Sequence, residues 1–223
     1  MNNTLGKTQS IALLGMFGAI IFLLTFTPLG FIPVPVFGSA TILHIPVIVG
    51  AIVLGPKMGA VLGLMFGFSS MLFATFMSPH LNAFAFTPFR PVPGTEYGSP
   101  WALVIAFVPR ILIGVVSPLV FYGLMKVLPK KIEALGIAIA AVVSSMTNTL
   151  LVLHLIYFIF RDPWTYARAG AGNPAPQITY AFIAGIIAGA GVAEAIVAAV
   201  IVPAVCIALF AVAARMPRRH QEA

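Results

Sequence analysis

Six apolar runs, most of them long enough to cross a bilayer, take up nearly all of the chain between Gln9 and Ala214. A helix needs about 20 apolar residues to span roughly 30 Å of hydrocarbon. The runs are Gln9–Thr27, Thr41–Leu54, Met58–Phe76, Trp101–Met125, Ala134–Phe160 and a stretch within Ile178–Ala214. The second is short. The last exceeds one span and contains Pro203, so it is expected to tilt or kink. Only 8% of the 223 residues are charged, against about 25% in a soluble domain. So few charges cannot cover a water-facing surface, and lipid must be the main solvent. The expectation is an all-α integral membrane protein: one domain over residues 1–223, a bundle of six transmembrane helices with long extracellular loops. The first run lacks a small-x-small cleavage site and reads as a retained helix.

The net charge of +7 reports topology rather than nucleic acid, because the bases sit in connections between apolar runs and no nucleic-acid motif is present. One set of connections and the termini holds Lys7, Lys57, Lys126, Lys130, Lys131, Arg215, Arg218 and Arg219; the other set holds Arg90, Arg161 and Arg168. The positive-inside rule places the first set, with both termini, in the cytoplasm of a multi-pass plasma-membrane protein. The outer connections are then long and rich in Pro and Gly, suited to covering a pocket. The inner turns are short.

Charged or polar groups within lipid are costly, so each one in a span is a candidate for function. Arg110, in Val108-Pro109-Arg110-Ile111, lies about 14 Å down its helix from Trp101. Its planar guanidinium can grip a carboxylate through two parallel hydrogen bonds. Alternatively it pairs with Glu194 or caps free carbonyls. Glu194, among small residues in Gly191-Val192-Ala193-Glu194-Ala195, can pair with Arg110, hold a ligand amine or hydroxyl, or carry a proton. Asn148 stands in Ser144-Ser145-Met146-Thr147-Asn148-Thr149, a denser polar cluster than packing alone needs. Asn148 and Thr147 are its candidate ligand contacts. His44, His154 and the loop residue Arg90 complete the binding set, with hydrogen-bonded interfacial or solvated roles as the alternatives. The histidines have no further ligands at supporting spacing, so no metal or cofactor is expected. Gly15, Gly18 and Ala19 give the first helix a small-residue surface for internal packing or for another membrane protein. The lone Cys206 lies in an apolar run and reads as a buried thiol.

No GxxxxGK[ST] loop occurs, so uphill transport would draw on an ion or on a partner chain. No HExxH motif or second membrane acid supports intramembrane hydrolysis.

Taken in order, three segments resemble the substrate-binding (S) components of energy-coupling factor (ECF) vitamin transporters. They are His44-Ile45-Pro46-Val47-Ile48-Val49-Gly50 through Gly55-Pro56-Lys57-Met58-Gly59-Ala60, then Val108-Pro109-Arg110-Ile111-Leu112-Ile113-Gly114, then Thr147-Asn148-Thr149-Leu150-Leu151-Val152-Leu153. The resemblance implies a vitamin bound beneath outer loops, and a membrane coupling (T) protein with two cytoplasmic ATPases as partners. It implies that the S component topples in the membrane to deliver its substrate. Such components often contact the coupling protein through an Ala-xxx-Ala face on the first helix; Gly15-xxx-Ala19 is its nearest counterpart here, with glycine in place of the first alanine. Pantothenate-type members are the nearest, implying Arg110 for the carboxylate, and Asn148 and threonines for the amide and hydroxyls. Folate and pyridoxine or thiamine precursors are the alternative substrates. A self-sufficient secondary transporter with Glu194 carrying protons is the alternative class.

Overall fold

The computed structural model describes residues 6–34, 38–169 and 177–215. Among these, five helical runs are long and apolar enough to cross a membrane: Lys7–Thr25, Pro56–Phe76, Trp101–Leu124, Lys130–Ala169 and Tyr180–Ala213. A sixth helix, His44–Leu54, is apolar but shorter. The chain is a multi-pass membrane bundle. Leu64, Phe68, Leu119 and Val200 lie on its outside, where lipid is their solvent.

Helix α1 (Lys7–Thr25) leads to a hairpin of β1 (Phe31–Val34) and β2 (Gly38–Thr41), with Phe31 opposite Thr41 and Val34 opposite Gly38. The short hairpin is a local addition to an otherwise all-helical bundle. Its Pro- and Gly-rich sequence reads as plain loop, yet the Ile42 N–H donates to the Gly30 carbonyl and closes its base at 3.1 Å. Helix α2 (His44–Leu54) follows. Its 11 residues reach only about 16 Å, half a bilayer. Gly55, with φ of 90°, turns the chain into Pro56 at the start of α3 (Pro56–Phe76). A left-handed residue followed by proline is a sharp junction that favours glycine.

Helix α3 and α4 (Trp101–Leu124) form the most extensive interface of the bundle. Gly59, Gly63 and Gly67 present bare backbone, one turn apart. A methyl group at Gly59 would strike the Gly114 carbonyl, one at Gly63 the Arg110 carbonyl, and one at Gly67 the Ala106 carbonyl at 2.8 Å. The two helices therefore run antiparallel at near-backbone contact, the small-xxx-small packing of membrane helices.

Helix α5 (Glu133–Ala169) runs past the expected end at Phe160. Phe160 leaves helical geometry (φ −125°, ψ 22°) and the helix resumes with Pro163 in its next turn. A proline is tolerated there because first-turn N–H groups have no helical acceptor. Part of the expected polar break, Arg161–Gln177, is thus helical. Helix α6 (Tyr180–Ile186) passes through a π-turn at Ile187–Gly191 into α7 (Val192–Arg215), so the long final run is one bent span.

Two apolar cores result. One joins Ile48, Ile52, Leu62, Ile113, Phe121, Ile137 and Val202, towards the end that carries the short lysine-bearing turns. The other joins Phe84, Ile105, Val152, Ile156, Phe160, Trp164 and Ile183, towards the hairpin. On α1, Gly15 and Ala19 lie on the exposed face. Gly18 does not share it: Gly18 is buried, and a methyl group there would strike the Met65 side chain of α3.

Candidate functional site

Along α4, α5 and the α6–α7 run, the two apolar cores leave a gap. Ile105 belongs to one core and Ile113 to the other; so do Val152 and Ala141, and Ile183 and Ala198. Arg110, Ser145, Asn148, Thr149 and Glu194 fall between these markers on their helices. The result is a polar layer inside the bundle.

Arg110 is 7% exposed. Its neighbour Pro109 has no N–H, so the Ile105 carbonyl one turn earlier loses its helical donor. Arg110 Nη1 donates to that carbonyl at 2.6 Å. One corner of the guanidinium thus repairs a break made by the adjacent residue. Nε is buried with no partner, and Nη2 donates no hydrogen bond among the described residues. These two nitrogens form one straight edge, the side from which a carboxylate can be held by two parallel bonds. The guanidinium carbon lies 5.5 Å from the Phe66 ring centre and 5.0 Å from that of Phe86. Cation–π contact steadies the charge without using its donors.

Arg110 and Glu194 do not form an ion pair among the described residues. Glu194 Oε1 accepts from the Thr41 backbone N–H at 2.7 Å and from the Thr41 hydroxyl at 3.2 Å; Oε2 accepts from the Thr149 hydroxyl at 3.2 Å. The π-turn brings Gly191 so near α5 that a methyl group on it would meet Thr149 Cγ2 at 2.8 Å, and it delivers Glu194 one turn later. The acid therefore satisfies main chain at the end of β2, just before the short helix α2, inside an apolar bundle where water is scarce. It also places negative charge at the positive end of α2. Glu194→Ala is expected to lower stability by about 1–3 kcal/mol, because the Thr41 amide is left unmatched. Glu194→Gln keeps an acceptor and should lose less. Thermal unfolding of both purified variants measures the difference.

Four polar atoms of this layer are buried without a partner: Arg110 Nε, His44 Nε2, Ser145 Oγ and Asn148 Oδ1. Buried polar groups are ordinarily hydrogen-bonded, so this cluster of open atoms is a place with unused hydrogen-bonding capacity. Thr147 does not take part; its hydroxyl donates to the Val143 carbonyl of its own helix at 2.7 Å. Thr149, two residues on, reaches Glu194 instead. Thr41, Ser145 and Thr149 belong to the layer although they are less conspicuous in sequence than the charged residues.

The remaining candidates lie elsewhere. His154 Nδ1 donates to the Leu150 carbonyl at 2.7 Å, so in the neutral ring Nε2 accepts from the Tyr180 hydroxyl at 3.2 Å. It ties α5 to α6. Arg90 donates to the Thr75 carbonyl at 3.2 Å and the Ser78 carbonyl at 3.0 Å, capping the end of α3. Among the described residues, no group of three or more His, Cys, Asp or Glu is placed to hold a metal ion.

Residues 9–206 match the family described as "ECF transporter, substrate-specific component". Over 157 residues the chain is 41% identical to the pantothenic acid transporter PanT of Lactococcus lactis subsp. cremoris (strain MG1363), covering 69% of this chain and 75% of that protein.

Proposed function

This chain belongs to the substrate-specific components of ECF transporters, and on that premise we propose that it captures pantothenate from outside the cell. The relative's name supports the choice of vitamin. The observation that carries it is the unpartnered edge of Arg110, buried with no acidic side chain paired to it among the described residues. A buried cation with two free donors suits a carboxylate, and pantothenate has one. Asn148 Oδ1 lacks a donor, and the vitamin's hydroxyls and amide N–H supply several.

In this reading the hairpin and the loops after α3 and α5 face the exterior, and both termini face the cytoplasm of a prokaryotic plasma membrane. The chain has no ATPase of its own. A membrane coupling protein and two cytoplasmic ATPases drive transport, and the exposed Gly15–Ala19 face of α1 is the docking surface. Glu194 as a proton carrier is less well supported, since three hydrogen bonds already hold its carboxylate.

Equilibrium binding of labelled pantothenate to the purified protein tests the ligand, with folate, pyridoxine and thiamine precursors as competitors. Saturable pantothenate binding that the others do not displace is expected. Displacement by one of them, with no pantothenate bound, would transfer the assignment to that compound. Uptake in cells should vanish when every ECF ATPase is deleted; uptake that persists would mean a self-powered carrier.

A further inference from the structure

Five residues of α5 between Ser144 and Thr149 carry hydroxyl or amide groups, and four hydroxyls among them do not behave alike. Ser144 donates to the Ala140 carbonyl at 2.7 Å and Thr147 to the Val143 carbonyl at 2.7 Å, the usual resting place of a hydroxyl in an apolar helix. Thr149 donates to Glu194. Ser145 is 1% exposed, yet its Oγ neither bonds back to its own helix nor meets another side chain. A serine in lipid that leaves its own backbone carbonyl unused is out of its ordinary state, and the cost of an unmatched buried hydroxyl falls on the ligand-free protein.

Asn148 follows Ser145 by three residues, on the same side of the helix and about 4.5 Å further along it. Its buried Oδ1 is also unmatched. Thr149, four residues from Ser145, fixes which way this side points, because it touches Glu194 and lies against Gly191 of the last span. The two open atoms thus stand in a row on the inward side of α5, within the polar layer that also holds Arg110.

We infer that Ser145 and Asn148 form a two-point subsite for the uncharged, hydroxyl- and amide-bearing part of the ligand, with Ser145 a determinant of specificity separate from the carboxylate grip of Arg110. This rests on the pantothenate reading and adds to it a residue and a division of labour. Arg110 takes the acidic end, which many organic acids share. The α5 row takes neighbouring polar groups on the same chain, which few of them carry.

The test is a double-mutant cycle by isothermal titration on the full-length protein in detergent. Its four arms are the wild type and Ser145→Ala, each with pantothenate and with an analogue in which both hydroxyls are replaced by hydrogen. Ser145→Ala removes only an unpartnered atom, so its unfolding temperature should equal or exceed the wild type's. Pantothenate is expected to bind Ser145→Ala about three- to tenfold more weakly, the ordinary worth of one neutral hydrogen bond. The dihydroxyl-free analogue should bind both proteins alike. Equal pantothenate affinity for both proteins would overturn the subsite while leaving the vitamin assignment standing. So would an equal loss with both ligands, since that would report helix packing. Failure of the wild type to bind pantothenate at all would overturn the vitamin assignment, and the subsite's ligand with it.

Discussion

Arg110→Ala is expected to weaken pantothenate binding by about 10- to 150-fold, the worth of a charge-assisted hydrogen bond at ~1.5–3 kcal/mol. The same substitution removes the donor that Nη1 supplies to the Ile105 carbonyl, so a loss of stability is expected as well. The two effects can be separated. Pro109 is the reason that the Ile105 carbonyl needs outside help. In the double variant Pro109→Ala, Arg110→Ala, residue 109 regains an N–H and the helix can close its own ladder. Unfolding temperature should recover towards the wild type while binding stays lost. Arg110→Lys should bind poorly too, since an ammonium keeps the charge but not the straight two-donor edge. If the double variant regained affinity along with stability, Arg110 would be a helix repair and no ligand contact.

The second large effect is expected at Gly63. A methyl group there would drive into the Arg110 carbonyl, which is main chain and cannot swing aside. Helices α3 and α4 would have to part along the interface where Gly59 and Gly67 also meet backbone. Overpacking of this kind costs about 1–3 kcal/mol or more. Gly63→Ala should therefore unfold earlier, and Gly63→Val should fail to accumulate in the membrane. Because α4 carries Arg110, any Gly63→Ala protein that does fold should also bind the vitamin less well. Exposed Gly15, where a methyl group meets nothing within 4 Å, is the control: Gly15→Ala should leave unfolding unchanged. Scanning fluorimetry of detergent-purified protein, with and without ligand, reads all of these.

What the sequence made legible follows from how much each residue costs its surroundings. Arg110, Glu194, His44 and Asn148 stand out because polar groups are rare in apolar runs; the structure buries Arg110 and His44 and leaves Asn148 and Glu194 half-buried. Their partners were not legible. Whether Arg110 meets Glu194 depends on helix rotation, and the π-turn that aims Glu194 at Thr41 has no strong signature in Gly189-Ala190-Gly191. Within the α5 cluster, period alone separates Ser145 and Thr149, four apart and inward, from Thr147 on another side. The Gly59-xxx-Gly63-xxx-Gly67 stripe was readable as small-residue packing, but the smaller stripe on α1 is the one that attracts notice. The hairpin was hidden because its prolines suggest loop, and strand pairing depends on the partner strand rather than on local preference. The helix beyond Phe160 was hidden by Arg161 and Asp162, which read as the edge of the membrane.

Helix α2 is long enough for only about half a bilayer, and the end of the bundle with the lysine-bearing turns is filled by Ile48, Ile52, Leu62, Ile113 and Phe121, all with their side chains shut away. That end of the bundle is thus closed by packed apolar side chains. A channel opened through that end would have to break the contacts of these fully buried side chains. On the proposed reading, a ligand held beside Arg110 would reach the far side at less cost if the bundle moved as a whole than if its filled base were opened.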